Sequence, residues 1–453
     1  GVLDPGERRD GTDGTGKFAF PDLRPGTYVV RQLLPDATWS QTLPPQVGGG
    51  TGPVGRTVTV AAQPVGGADF GSRSGETTPP TATLAQYGPA SAAFAAGSPS
   101  ELRIGFSEDL SATLDPSDFN ITDAVTGEEI TAQALAVGFD GGSRSAVITF
   151  PGLPGRALPA GAYRVVVRGG GVRDAAGNAT EADQTLEFAA RAVVAARHAF
   201  YNNSAFDGRD PEPNAGDDGA IATDKAALLP GGGPMTFSNI TSYTRGLNGI
   251  MIDMAGLPPG FTPALNDFAF RVSSPGEAGS PLLWSPAPPI ADITIRRGAG
   301  VGGSDRVTFL WADGAIRNRY LQVVTFPTER TALASQDVFY YGNLVAETGP
   351  SSPVAGAFRV DARDMGLARL AHGRTGVHVT EPADFNRDGR VSVTDVLMTR
   401  VNRGRRLLAF TAAFITMPPP TAATPLATTT AAAALPLGDR SPKELRATSL
   451  VRA

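Results

Sequence analysis

The residues best suited to chemistry lie near the C-terminus, in Asp384-Phe385-Asn386-Arg387-Asp388-Gly389-Arg390-Val391-Ser392-Val393-Thr394-Asp395. Oxygen donors fall at positions 1, 3, 5, 9 and 12 of a twelve-residue loop, with glycine at position 6. A hard cation such as Ca²⁺ takes about six to eight oxygens at roughly 2.3–2.6 Å, and this spacing wraps them round one centre. Asp384, Asn386 and Asp388 offer side-chain oxygens. Gly389 permits the sharp turn, and Arg390 contributes only its backbone carbonyl. Ser392 binds directly or through water, and Asp395 closes the sphere. Mg²⁺ suits the pattern less, because it prefers a tighter octahedron with fewer protein ligands.

A second acidic stretch holds Asp207, Asp210, Glu212, Asn214, Asp217, Asp218 and Asp224, punctuated by Gly and Pro. Three readings stay open: another calcium site, a carboxylate pair for glycoside hydrolysis, or a solvated loop of Asx turns. The Gly298–Gly303 run sits between two strand-like segments with no helix behind it, so it reads as a hairpin turn rather than a phosphate loop. His198, His372 and His378 are too scattered for a zinc triad, and no G-x-S-x-G elbow occurs. Asp174–Asn178 reads as a turn between strands.

These residues need elements to hold them. Asp361–His372 reads as a short helix, and a second should follow the loop, burying Val396, Leu397 and Val401. A lone loop of this kind leaves Val391 without a pairing strand unless the helix before it packs against it.

Upstream, short alternating runs separated by turn residues predict strands. They include Lys17–Phe20, Thr27–Gln32, Thr57–Val60, Ala68–Phe70, Glu101–Phe106, Phe119–Thr122, Ser145–Phe150, Tyr163–Arg168 and Gln184–Phe188. Further along come Ala199–Asn202, Gly249–Met254, Phe268–Val272, Asp292–Arg296, Arg306–Trp311 and Tyr320–Thr325.

The expected fold is mainly β: serial antiparallel β-sandwich modules with a small C-terminal helical unit and a disordered tail. The division is 1–72, a linker over 73–80 within the linker-like run Gly71–Pro80, then 81–190, 197–346, 347–416, and a Pro/Ala/Thr-rich tail over 417–453. Gly (55) and Pro (38) together make about a fifth of the 453 residues, which favours many short strands over long helices. Leu407–Met417 is too short to span a membrane and fits a buried element better.

Lys+Arg (39) against Asp+Glu (44) gives a net charge of −5, which argues against a nucleic-acid partner. With no cysteine, disulfides and thiolate metal sites are excluded. The chain opens at Gly1 within a loop-like stretch, which points to a piece of a longer protein with its export signal upstream.

Several segments resemble known modules. Gly1-Val2-Leu3-Asp4-Pro5-Gly6-Glu7, Asp13-Gly14-Thr15-Gly16, Leu23-Arg24-Pro25-Gly26-Thr27-Tyr28 and Trp39-Ser40-Gln41-Thr42 resemble a serine-aspartate-repeat B-type surface module lacking its opening strands. Asp4 and Glu7 match the tail of that family's calcium loop. Phe106-Ser107-Glu108-Asp109-Leu110, Ala160-Gly161-Ala162-Tyr163 and Val172–Asn178 resemble a bacterial immunoglobulin-like repeat. His198–Phe206 and Asp337–Asn343 are similar to segments of large secreted planctomycete proteins.

Asp384–Asp395 with its following helix resembles one type I dockerin repeat, which is EF-hand-like with Asp at position 12. That family's partner-recognition pair falls at Val393 and Thr394, where its members commonly carry Ser/Thr. No second D-x-[ND]-x-DG occurs.

The resemblances and composition imply a non-catalytic, calcium-binding stalk or adhesion region of a secreted or cell-surface bacterial protein. An extracellular glycan or another surface protein would be its partner. The alternative is the accessory region of a polysaccharide-degrading enzyme. A hydrolase using the acidic stretch is a third.

Overall fold

In a computed structural model, residues 7–13, 16–34, 39–44, 54–61, 65–75, 77–89, 100–110, 114–349 and 355–418 are described. The motif at Gly1–Gly6, most of the glycine-rich 48–55 stretch and the tail from 419 onward lie outside them. Among the described residues the fold is mainly β, built from antiparallel pairings apart from the parallel pair Ile240–Thr241 with Asp337–Asn343, with two short α-helices. No helix among the described residues is long and apolar enough to cross a membrane.

The N-terminal segment forms two two-stranded sheets: Gly26–Val30 with Arg56–Val60, and Trp39–Leu43 with Gly71–Ser74. Gly71–Ser74, expected to open the linker, is therefore a strand. Its Gly and Ser residues give it little β propensity, and backbone pairing to Trp39–Leu43 overrides that weak local preference. Lys17–Phe20 is not a strand despite its alternation. Phe18 instead packs on Phe20 and Phe70, at 6.0 and 6.1 Å between ring centres.

Residues 82–190 form a sandwich of two four-stranded sheets around one apolar core. Alternation explains it: Leu102, Ile104 and Phe106 on one strand and Tyr163, Val165 and Val167 on another face inward, all nearly inaccessible.

The next unit pairs a four-stranded sheet (Val193–Phe200, Gly249–Ala255, Asp305–Leu310, Asp292–Arg296) with a five-stranded one. The second sheet runs Ile240–Thr241, Asp337–Asn343, Arg319–Thr325, Phe268–Val272, Ser285–Pro286. It is covered on both faces. Leu321, Val323, Phe339 and Tyr341 point at the four-stranded sheet. Tyr320, Val324, Val338 and Tyr340 belong to a different core, shared with Phe358, Val360, Phe385, Val391 and Leu407. The 346/347 boundary thus runs through continuous packing, and the helical unit forms a third layer.

That unit contains α1 (Ala362–Ala371) and α2 (Val393–Asn402), with strand Ala357–Arg359 paired to Arg406–Leu408. The expected buried face of α2 is corrected. Val396 packs inward with Asp395, Thr399 and Asn402, whereas Leu397 and Val401 are 46% and 72% exposed. The loop's demand that Asp395 face inward sets the helix rotation, and it turns Leu397 and Val401 outward.

Candidate metal centre

The twelve-residue loop closes on itself. Asp384 accepts from the amides of Asp388 (3.2 Å) and Gly389 (3.0 Å). Asp388 Oδ1 accepts from the Arg390 amide at 3.0 Å, and its Oδ2 accepts from Asn386 Nδ2 at 2.9 Å. Asp395, from α2, reaches back to the Phe385 amide at 2.9 Å, joining the loop's two ends. Gly389 has φ 82° and Arg387 φ 52°; both lie in the left-handed region that the tight turn requires.

Ser392 is the N-cap of α2, accepting from the Thr394 amide at 3.1 Å, while Asp395 accepts from the Ser392 amide at 2.8 Å. This capping box anchors the helix start, and it engages the Ser392 hydroxyl with Asp395 Oδ2 at 3.1 Å. The Arg390 side chain is exposed.

Asp384 is fully buried. Burial pushes its carboxyl up to about 6; Arg387 opposes the shift and Asp395 adds to it. Crowded buried carboxylates with an oxygen-only donor set suit a hard divalent cation. Among the described residues no group of three or more His, Cys, Asp and Glu is placed to hold a metal ion, so a cation at this loop would also need Asn386, Ser392 and the Arg390 carbonyl.

Sequence reasoning missed a duplication. Asp361 caps α1 and Asp364 returns the bond, as Ser392 and Asp395 do for α2; the two pairs stand 31 positions apart. The backbone pairing repeats as well. Val391 donates to Arg374 O (2.9 Å) and accepts from Gly373 N (2.8 Å). Val360 donates to Arg405 O (3.0 Å) and accepts from Gly404 N (2.8 Å). Val391 therefore does have its pairing partner, in the residues just after α1. The signal was present in Arg359-Val360…Asp364…Gly373-Arg374 against Arg390-Val391…Asp395…Gly404-Arg405. A search for carboxylates alone passes over it.

Position 4 ties the loop to the sandwich. The Arg387 guanidinium is buried, lies 4.3 Å from the centre of the Tyr201 ring and donates to the Tyr201 hydroxyl at 3.0 Å. The Arg387 carbonyl accepts from the Ala205 amide at 2.8 Å, and that of Phe385 from the Thr244 amide at 2.8 Å.

In the acidic stretch, Asp218 is held by Arg296 and Arg306. Asp210 accepts from Asn214 at 2.8 Å, and Asp224 pairs with Lys225 at 3.1 Å. Asp207 and Asp217 are buried, and Glu212 is exposed. The Gly298–Gly303 run is the expected hairpin connection between Asp292–Arg296 and Asp305–Leu310. His198 bonds Asp253 at 3.0 Å, while His372 and His378 are exposed.

No family model and no curated protein matches the sequence. Among solved structures, the chain is similar to the N-terminal part of the bacterial S-layer protein SbsC, at 13% identity and TM-score 0.20, covering 59% of this chain and 44% of that one. It is also similar to a marsupial T cell receptor, at 10% identity and TM-score 0.16, covering 58% and 64%. The chain spans less than two thirds of either structure, and at those scores neither likeness bears on fold or role.

Proposed function

We propose that this chain is a non-catalytic, calcium-braced structural and adhesive region of a bacterial protein that works outside the cell. The observation that carries this reading is the seat of Arg387. It belongs to the cation loop, yet its side chain is buried against Tyr201 of the β-sandwich unit. A cation that orders Asp384–Asp395 would therefore brace the joint between the helical layer and the sheets, beyond stabilising one turn. Short sandwiches in series and the absence of cysteine agree with a stalk stiffened by metal rather than by disulfides.

Thermal unfolding of the whole chain with calcium and with chelator tests the brace. A melting temperature indifferent to millimolar calcium would remove it. A glycan array run under the same two conditions separates an adhesive module from a spacer.

One observation favours the accessory role in a polysaccharide-degrading enzyme. Val393, Leu397 and Val401 make an exposed apolar stripe along α2, 60%, 46% and 72% accessible, and such a stripe is a protein-docking feature.

A further inference from the structure

Three side-chain oxygens between Asn202 and Asp217 are buried without a hydrogen-bond partner: Asn202 Oδ1, Asp207 Oδ2 and Asp217 Oδ1. Their residues are 4%, 7% and 0% exposed. Leaving one such group unmade costs about 1–3 kcal/mol, and charged groups cost more. Three in one loop call for a common cause.

The loop anchors all three residues. Asp207 is anchored through Oδ1, which accepts from the amides of Ser204 and Arg209, both at 2.9 Å. Asp217 is anchored through Oδ2, which accepts from the Asn214 amide at 2.9 Å. In each carboxylate the other oxygen is the unpartnered one. The turn Ala215–Ala220 is clamped on the Asp207 backbone: a Cβ on Gly216 would lie 3.3 Å from the Asp207 carbonyl, and one on Gly219 2.8 Å from that of Phe206. Asn202 Nδ2 reaches the Pro211 carbonyl at 3.2 Å, which ties that amide to the same loop.

Asp218 is neutralised by two arginines and Asp224 by Lys225, Asp210 accepts from the Asn214 side-chain amide, and Glu212 is exposed.

Two buried carboxylates and an amide oxygen form a donor set with no nitrogen or sulfur, which selects a hard cation. A double positive charge matches two carboxylates, and an irregular loop supplies backbone carbonyls at the longer distances calcium accepts. We propose that Asp207, Asp217 and Asn202 hold a second calcium ion, distinct from the one assigned to Asp384–Asp395. The two loops touch through the Ala205 amide and the Arg387 carbonyl, so both ions would brace one joint.

Calorimetric titration of the calcium-stripped whole chain with CaCl₂ tests this, using wild type, Asp217→Asn, and the double variant Asp384→Ala with Asp388→Ala. Two ions are expected in wild type and one in each variant. Retention of the lone ion by Asp217→Asn, at Asp384–Asp395, doubles as the check that this variant is folded. Equal stoichiometry in wild type and Asp217→Asn, or no binding in the double variant, overturns the second site. A double variant that binds as many ions as wild type overturns the Asp384–Asp395 assignment instead, so the two failures are distinguishable.

Discussion

Arg387 stacks on Tyr201 at 4.3 Å and also hydrogen-bonds its hydroxyl at 3.0 Å. One guanidinium thus joins the Asp384–Asp395 loop to a sandwich that starts almost two hundred residues earlier. Its charge also faces Asp384, whose ionised form it favours.

Arg387→Ala should therefore destabilise the whole chain by about 3 kcal/mol, because it removes a buried side chain and leaves Asp384 without its positive neighbour. Urea unfolding monitored by tyrosine fluorescence measures this. A loss below about 1 kcal/mol, within the range of an ordinary surface change, would contradict it.

Calcium bound at Asp384–Asp395 should stabilise the protein by about 2.7 kcal/mol at a hundredfold excess over that site's Kd. Asp384→Ala and Asp388→Ala should each weaken calcium binding at this loop by at least about tenfold. Arg390→Ala should leave it nearly unchanged, since the Arg390 side chain is exposed and the backbone carbonyl survives the substitution. Titration of each variant in the full chain checks the ranking; a large effect of Arg390→Ala would mean the ion lies elsewhere.

Glu347 provides a pH test. It is fully inaccessible, and burial, with the nearby Asp364 charge adding to it, pushes its carboxyl up to about 9 from its ordinary 4.5. A raised folded-state value means that the folded chain holds a proton the unfolded chain has released. The stability this contributes is full below 4.5 and is lost steadily as pH rises toward 9. Glu347→Gln carries no such proton, so its advantage over wild type should grow between pH 5 and pH 8. Parallel stability curves for the two proteins would refute this.

Phe358 sits in the core shared by the helical layer and the five-stranded sheet. Phe358→Ala should cost about 3–5 kcal/mol and lower one common transition for residues 197–412, rather than melting the helices alone. Hydrogen exchange that shows α1 and α2 opening independently of strand Arg319–Thr325 would count against a shared core.

Period-two alternation made most of the sandwich strands legible: Phe268–Val272 and Asp292–Arg296 appear with the bounds their side chains suggested. The turn geometry of Asp384–Asp395 was legible because Gly389 and the alternating Asp and Asn residues act locally. What alternation hides is a strand wanted on both faces. Tyr320-Leu321-Gln322-Val323-Val324 reads as a strand, but nothing in it says that Tyr320 and Val324 face a helical layer contributed by later residues. The orphaned oxygens of Asp207 and Asp217 were equally hidden, because a string of acids does not reveal which ones the arginines from another sheet will claim.

The doubly covered sheet also has a consequence for biosynthesis. Strands Arg319–Thr325 and Asp337–Asn343 leave the ribosome before Phe358, Phe385 and Leu407, which close their outer face. At about 5–20 residues per second, the aromatic patch of Trp284, Tyr320 and Tyr340 waits several seconds for its cover. Chains that stop within that interval should be recovered as aggregates, and a soluble shortened form should begin only once residue 412 has been added.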